Sequence, residues 1–239
     1  MMKIYILPLI IFLFVSGIYA QNTKVHDLIV TAQKKDSLNM FDEALKDLDE
    51  AIKLSNHQND TALWLHGKVS YEKNDLKTAE HDINEVMHHS HKHAEAYFIR
   101  GLIKAKTENY EGAIKDFTKS IELRPNSAKA YYDRGLAHAM MDEIKQAMQD
   151  FSRTIELDPT YAKAYFNRGY WKDIMGDVEG ALADLLKAKE LNPKDKEIYL
   201  ELAVVYARNK KMKEACQELE NAAAAGHSIS DELKNEFCK

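Results

Sequence analysis

The sequence predicts an all-α fold, an α-solenoid of stacked helix-turn-helix units, because the chain repeats itself every 34 residues. A glycine, an alanine and a proline each keep a fixed phase in this repeat. The positions are Gly67, Gly101, Gly135 and Gly169; Ala79, Ala113, Ala147, Ala181 and Ala215; and Pro125, Pro159 and Pro193. A period of this length indicates units that bury their apolar faces against their neighbours, and not the single core of a globular enzyme.

The first twenty residues differ from the repeats and follow the pattern of a secretory signal peptide. Lys3 is their only charged residue, an apolar run over 4–15 follows it, and Ala20 precedes Gln21. We therefore predict a signal peptide over residues 1–20, cleaved after Ala20, and an exported protein that is periplasmic or secreted. After cleavage we expect no direct membrane insertion. An uncleaved N-terminal membrane anchor is the alternative.

The overall charge restricts the classes of partner. The net charge of the chain is −5, and loss of Lys3 with the signal peptide would make it −6. Nucleic acid requires a concentrated positive surface, so we expect no nucleic-acid partner.

The sequence contains no G-x-S-x-G, P-loop or H-E-x-x-H motif. Since the repeats leave no room for a catalytic domain, we predict no enzymatic activity, no catalytic residue and no cofactor.

One unit, residues 94–127, shows the spacing of the repeat in full. Tyr97 is followed by Gly101, Ala113, Phe117 and Pro125. This order of aromatic, small residue, alanine, aromatic and proline resembles the tetratricopeptide repeat (TPR). The next two units repeat it with Tyr131, Gly135, Ala147, Phe151 and Pro159, and with Tyr165, Gly169, Ala181, Leu185 and Pro193. The resemblance, to exported bacterial proteins made only of TPR units, implies a right-handed solenoid.

The resemblance extends over nearly the whole chain after the signal peptide. The flanking units are weaker, with His91 and His227 in the proline position, and the first unit is one residue out of phase. We expect a small insertion over 56–59 to account for that shift. The predicted units are 25–58 (degenerate), 60–93, 94–127, 128–161, 162–195 and 196–229, followed by a capping helix over 230–239.

Inside each unit, two antiparallel helices are expected to approach closely where the residues are small. We expect Gly101 to face Ala113, and Tyr97 and Phe117 to pack towards the neighbouring unit. In three units an arginine directly precedes the phase glycine, and an aspartate lies sixteen residues after that arginine. These residues are Arg100, Arg134 and Arg168, with Asp116, Asp150 and Asp184. We predict an ion pair across each helical hairpin; an arginine ladder for an anionic ligand is the alternative.

The C-terminal segment has the features of a cap. Ser230 is suited to begin a helix, and Leu233 and Phe237 fall four residues apart on one face. The only cysteines are Cys216 and Cys238. An isolated pair in an exported protein favours a disulfide between them, and exported TPR proteins with similarly placed cysteines support that pairing. Two free thiols and a redox site are the alternatives.

The resemblance implies a partner-binding stripe on the concave face of the first helices. The predicted contact residues are Trp64, Phe98, Leu102, Lys129, Tyr132, Lys163, Phe166, Asn167 and Tyr170. Such an aromatic groove suits an extended peptide or an amphipathic helix. The alternative is that the aromatic positions are buried against the next helix. The lysines and asparagines with which some relatives bind a C-terminal carboxylate are largely absent, so we do not predict that specificity.

Five histidines fall within thirteen residues: His81, His88, His89, His91 and His93. Such residues are ligands for zinc, nickel or copper. They span the end of one unit and a turn, and no cysteine or carboxylate pattern completes a site, so we predict a solvated turn and no metal.

The function that the sequence predicts is a non-catalytic scaffold or assembly factor outside the cytoplasm. Its partner is a protein or peptide segment, bound in the concave groove. The alternatives are a self-assembling structural protein, which would be a homo-oligomer, and a His-rich metal-binding protein.

Overall fold

The computed structural model describes residues 6–238, with side chains from residue 19 onwards. Every regular element in that range is an α-helix, which confirms the predicted all-α fold. Most of the predicted signal peptide lies outside the residues with described side chains. Among the helices that are described, none combines the length and apolar character that a membrane crossing requires.

The chain divides into two compact units, and the N-terminal unit ends at Leu123. Its first helix runs without a break past the predicted cleavage position. The helices of this unit are α1 (Ile6–Ser37), α2 (Phe41–Leu54), α3 (Asp60–Glu72), α4 (Leu76–His89), α5 (Ala94–Lys106) and α6 (Tyr110–Leu123). They form three helical hairpins, and α1 and α5 both contact α3.

The C-terminal unit begins at Arg124 and has the same organisation. Its helices are α7 (Ala128–Met140), α8 (Ile144–Leu157), α9 (Ala162–Ile174), α10 (Val178–Leu191), α11 (Lys196–Arg208), α12 (Met212–Ala224) and α13 (Asp231–Phe237). The first six form three hairpins, and α13 packs against α12. Within each unit the hairpins stack in chain order, and this is the solenoid packing that the repeat predicts.

Small residues allow the two helices of each hairpin to approach closely. The five phase alanines, from Ala79 to Ala215, are all completely buried. At Gly101, however, the nearest neighbour of an added Cβ is the ring of Phe117, 2.6 Å away. Gly101 therefore faces the aromatic residue four positions after Ala113. At the equivalent Gly67 and Gly169, an added Cβ would also lie 3.3 and 3.1 Å from the backbone oxygens of the phase alanines Ala79 and Ala181. Phe117 packs inside its own hairpin, where its ring occupies the space left by the missing side chain of Gly101.

In the five hairpins from α3–α4 to α11–α12, the turn between the two helices contains a residue in the left-handed region. These residues recur 34 positions apart: Asn74, Glu108, Asp142, Gly176 and Lys210, with φ between 60° and 85°. Only one of them is glycine, so four side chains adopt a conformation that L-residues normally avoid. The insertion region also holds two such residues, Asn56 and His57.

Caps and prolines separate one hairpin from the next. The side chain of Ser127 accepts a hydrogen bond from the backbone N–H of Ala130 at the start of α7. Asp195 does the same for Glu197 at the start of α11. Pro159 follows two residues after the end of α8, where its missing N–H and its ring prevent the helix from continuing.

The predicted ion pairs across the hairpins are confirmed. In each of the three pairs, the arginine Nε and one terminal nitrogen donate to the two carboxylate oxygens at 2.8 and 2.7 Å. The aspartates, Asp116, Asp150 and Asp184, are buried. Because both oxygens are engaged, each pair fixes the relative position of its two helices. This arrangement leaves no free arginine ladder for an anionic ligand.

In two of the other hairpins, a cation other than arginine pairs with the acidic residue at the aspartate position. In the α3–α4 hairpin, His66 lies 2.6 Å from Asp82. In the last hairpin Leu202 replaces the arginine, and Lys189 of α10 donates to both oxygens of Glu218 at 2.9 Å. Glu218 therefore links two successive hairpins of the C-terminal unit.

Candidate functional site

The candidate site is a groove along α7, α9 and α11, the first helices of the three hairpins in the C-terminal unit. Two adjoining clefts with volumes of about 260 and 430 Å³ form it. The first cleft is lined by Tyr132, Leu136, Ala162, Lys163, Phe166, Asn167, Asn192, Asp195, Glu197 and Ile198. The second is lined by Phe166, Asn167, Tyr170, Glu197, Leu200, Glu201 and Val204.

Five of the residues predicted from the sequence line these clefts: Tyr132, Lys163, Phe166, Asn167 and Tyr170. The acidic residues of α11 were missed. They occupy the same repeat positions as the predicted ones, since Glu197 stands 34 residues after Lys163 and Glu201 stands 34 after Asn167. Reading every repeat at each predicted position would have found them.

Tyr132 forms part of the wall of the first cleft. It is buried, and its hydroxyl oxygen accepts a hydrogen bond from Nδ2 of Asn167 at 3.0 Å. Its ring centroid lies 4.8 Å from that of Tyr161. Burial and the charge of Asp133 raise the pKa of Tyr132 to about 12, so the phenol is neutral at ordinary pH. Tyr132 therefore fixes the relative position of α7 and α9 more than it offers a free contact surface.

Asp133 is the buried carboxyl group beside this wall. Burial raises its pKa to about 6, although the positive charges of Lys129 and Lys163 act in the opposite direction. Within the described part of the chain, its Oδ2 atom is buried and makes no hydrogen bond. Lys129, predicted as a contact residue, is exposed and lines neither cleft. Both lysines thus influence the groove through the charge they place near Asp133.

The second cleft combines apolar side chains with carboxylates of α11. Phe166 and Tyr170 face it from α9, and Leu200 and Val204 from α11. Burial and the negative charge of Asp173 raise the pKa of Glu201, while Arg208 opposes this shift. Arg208 is itself paired with the buried Asp173.

The predicted contact residues of the N-terminal unit pack against its core. Trp64, Phe98 and Leu102 are partly buried there. The ring centroid of Phe98 lies 5.7 Å from that of Phe117, and the ring of Trp64 lies 6.1 Å from that of His93. This is the packing that the sequence offered as the alternative to binding. Contact between these residues and a partner stays a prediction.

The histidines of 81–93 are used in local contacts. Nδ1 of His93 accepts the backbone N–H of Ala96 and so caps α5. His89 lies 2.7 Å from Asp60. Across the residues with described positions, no group of three or more histidine, cysteine or acidic side chains could hold a metal ion.

The C-terminal end is closed by a short helix and a disulfide. The side chain of Ser230 accepts the backbone N–H of Leu233 at the start of α13. Phe237 is buried in a cluster that also contains Tyr199. A disulfide joins Cys216 to Cys238, the pairing that the sequence predicts, with their Cα atoms 4.8 Å apart.

Family models of this repeat match the chain in three places. A TPR repeat model matches residues 94–142, and two tetratricopeptide repeat models match 128–161 and 175–228. Together these ranges span about half of the 239 residues. Among curated proteins, none matches the chain in sequence.

Solved structures share the fold. A MamA protein is 25% identical with a TM-score of 0.63, covering 74% of this chain and 94% of that one. PilF of Pseudomonas aeruginosa is 13% identical with a TM-score of 0.75, covering 92% and 94%. YrrB, described as a TPR protein with an unusual peptide-binding site, is 20% identical with a TM-score of 0.65, covering 79% and 96%. The family models and these solved structures agree with the stacked hairpins, and the chain belongs to the tetratricopeptide repeat family.

Proposed function

We propose that the protein is a non-catalytic interaction scaffold or assembly factor that binds a peptide or helical segment of a partner in the groove of the C-terminal unit. The observation that carries this proposal is the row of aromatic and aliphatic side chains on α9 and α11 that line the second cleft. Solenoid repeats commonly bind partners along the surface formed by successive helices.

The second cleft has the character of a peptide site. Its apolar surface comes from Phe166, Tyr170, Leu200 and Val204, which lie side by side on two neighbouring helices. Tyr170 is 37% exposed, a large fraction for an aromatic residue next to a core. Burying aromatic side chains in a central pocket supplies much of the free energy of protein interfaces. Asn167 and Glu197 place polar groups at the edge, where they can orient a bound chain.

YrrB supports the proposal only through its fold. Its description names a peptide-binding site, but at 20% identity the likeness of the two chains is a likeness of architecture. The argument for peptide binding therefore rests on the residues that line the groove of this chain.

We further propose that the protein acts outside the cytoplasm, in the periplasm or as a secreted protein. The disulfide between Cys216 and Cys238 supports this location, because such bonds persist mainly in oxidising compartments. The N-terminal pattern of a lysine, an apolar run and a small residue at position 20 supports it independently.

A random peptide library selected on the immobilised full-length protein tests the groove. Selected peptides are then titrated against Phe166→Ala and Tyr170→Ala. We expect each variant to bind about tenfold more weakly or worse, because truncating an aromatic anchor removes much of the interface energy. Met175→Ala is the matched control, since Met175 is 67% exposed in a turn outside both clefts.

Crosslinking in the native cell extends the test to the natural partner. We expect the same groove variants to lose the crosslinked protein and Met175→Ala to retain it. Unchanged affinity of the selected peptides for both groove variants would contradict the proposal. Light scattering over a concentration series adds a second check, because a monomer at all concentrations leaves only foreign partners, whereas growing assemblies would favour self-association.

A further inference from the structure

The second cleft of the groove has an unbalanced charge. Its lining contains two carboxylates, Glu197 and Glu201, and no cationic side chain. Both belong to α11, four residues apart, so they project from one face of the helix on successive turns. The rest of the lining is apolar apart from Asn167.

The protein does not neutralise these two carboxylates. Within the part of the chain that the structure describes, neither Glu197 nor Glu201 has a salt bridge or a side-chain hydrogen bond. Arg208, the cation on the same helix, is paired with the buried Asp173. Lys163 lines only the first cleft, alongside Asp195 and Glu197. By contrast, the carboxylates of the three Arg–Asp pairs, such as Asp184, have both oxygens engaged.

The surroundings of Glu201 disfavour its ionised form. Burial and the negative charge of Asp173 raise the pKa of Glu201, and the positive charge of Arg208 opposes this shift without cancelling it. A positive charge brought next to Glu201 would offset the remaining cost of ionising it there. A negative charge brought to the same place would add repulsion at short range, where little water separates the groups.

Resting on the proposed function, we propose that the groove selects a basic amphipathic peptide. Its apolar side chains occupy the surface between Phe166, Tyr170, Leu200 and Val204, and its lysines or arginines pair with Glu197 and Glu201. The Cβ atoms of two residues four apart on a helix lie about 6 Å from each other. Two basic residues at positions i and i+4 of a helix, or i and i+2 of an extended chain, have a matching separation.

The selected library peptides provide the test. We expect lysine and arginine to be enriched beside apolar residues, and aspartate and glutamate to be depleted. One selected peptide is then synthesised in two forms, the selected sequence and a form in which its basic residues are replaced by glutamine. We expect the glutamine form to bind about tenfold more weakly, because both ion pairs with the cleft are lost at once. The difference should shrink at high salt, where such pairs are screened.

Two protein variants locate the effect. Glu197→Gln/Glu201→Gln should bind the basic peptide about tenfold more weakly and the glutamine peptide with unchanged affinity. Glu179→Gln/Glu214→Gln is the matched control. It changes the net charge equally, at exposed residues of α10 and α12 that line neither cleft.

The outcomes separate this inference from the proposed function. Selected peptides without a basic preference that still depend on Phe166 would overturn the inference and leave peptide binding intact. Equal weakening by the two double variants would also overturn it, since it would reflect net charge and not the cleft. A failure to select any peptide, or binding that ignores Phe166 and Tyr170, would remove the proposed function and this inference with it.

Discussion

At the scale of single residues, His66 occupies the position that arginine holds in three other hairpins. Its side chain is largely buried, and Nδ1 lies 2.6 Å from Oδ2 of Asp82. Burial alone would lower the pKa of His66. The hydrogen bond to Asp82 and the negative charges of Asp82, Asp49 and Asp75 outweigh burial and raise the pKa above 6.5. This hairpin therefore holds a cation that loses its charge as the pH rises through the raised pKa of His66.

We expect the free energy of unfolding to contain a component from His66 that disappears as the pH rises. The folded state binds the proton more tightly than the unfolded chain, whose histidine has the ordinary pKa of 6.5. The stabilisation is thus complete below that value and is lost as the pH rises through the raised pKa. Denaturant unfolding between about pH 5.5 and 8.5 measures it. His66→Arg should remove this component, because arginine stays charged.

The comparison is made against the natural protein, which differs from the variant only at position 66. His91→Arg is the control, because His91 is exposed in the turn between α4 and α5. It should keep the pH dependence of the natural protein. If His66→Arg kept that dependence too, the contact with Asp82 would not hold an extra proton.

At the scale of elements, four of the hairpins depend on the close approach of their two helices at the phase glycine. A Cβ added at Gly135 would lie 2.9 Å from the Phe151 ring and 3.1 Å from the Cβ of Asp150. Neither neighbour has space to retreat, because Phe151 is fully buried and Asp150 is paired with Arg134.

We expect Gly135→Leu to lower the free energy of unfolding by about 1–3 kcal/mol through overpacking. Thermal and denaturant unfolding measure the loss. Ala183→Leu, at an exposed position of α10, is the control and should change stability little. An unchanged melting temperature for Gly135→Leu would mean that the helices do not approach closely at this glycine.

The sequence predicts these elements well because the repeat phase constrains them. The phase alanines are buried and the Arg–Asp pairs form where their spacing places them. The contact between the phase glycine and the aromatic ring of the second helix was missed, since spacing along the chain does not determine which rotamer fills a gap. His66 was missed because only arginine was sought at this position. Its separation from Asp82 along the sequence equals that of Arg100 from Asp116. Only the structure shows that Glu197 and Glu201 lie in the groove without an ion-pair partner among the residues it describes, because the sequence does not give the positions of the surrounding charges.

At the scale of the whole molecule, the stability of each unit is expected to be a sum over neighbouring hairpins. A terminal hairpin has a neighbour on one side only, so it is the first to open unless something covers it. At the C-terminus α13 packs against α12 and places Phe237 in the cluster with Tyr199. A helix of seven residues is too short to be stable alone. The disulfide is therefore the feature that keeps this cap in place.

We expect Cys216→Ser/Cys238→Ser to lower the free energy of unfolding by about 3 kcal/mol, because the bond closes a loop of 22 residues in the unfolded chain. Hydrogen exchange should locate the loss in α12 and α13 and leave the α7–α8 hairpin protected, since hairpins depend on their neighbours. The natural protein under reducing conditions is the control and should match the variant. Protein recovered from outside the cytoplasm should show no mass increase on alkylation without reductant. Two alkylated cysteines in that sample would contradict both the cap and the proposed location.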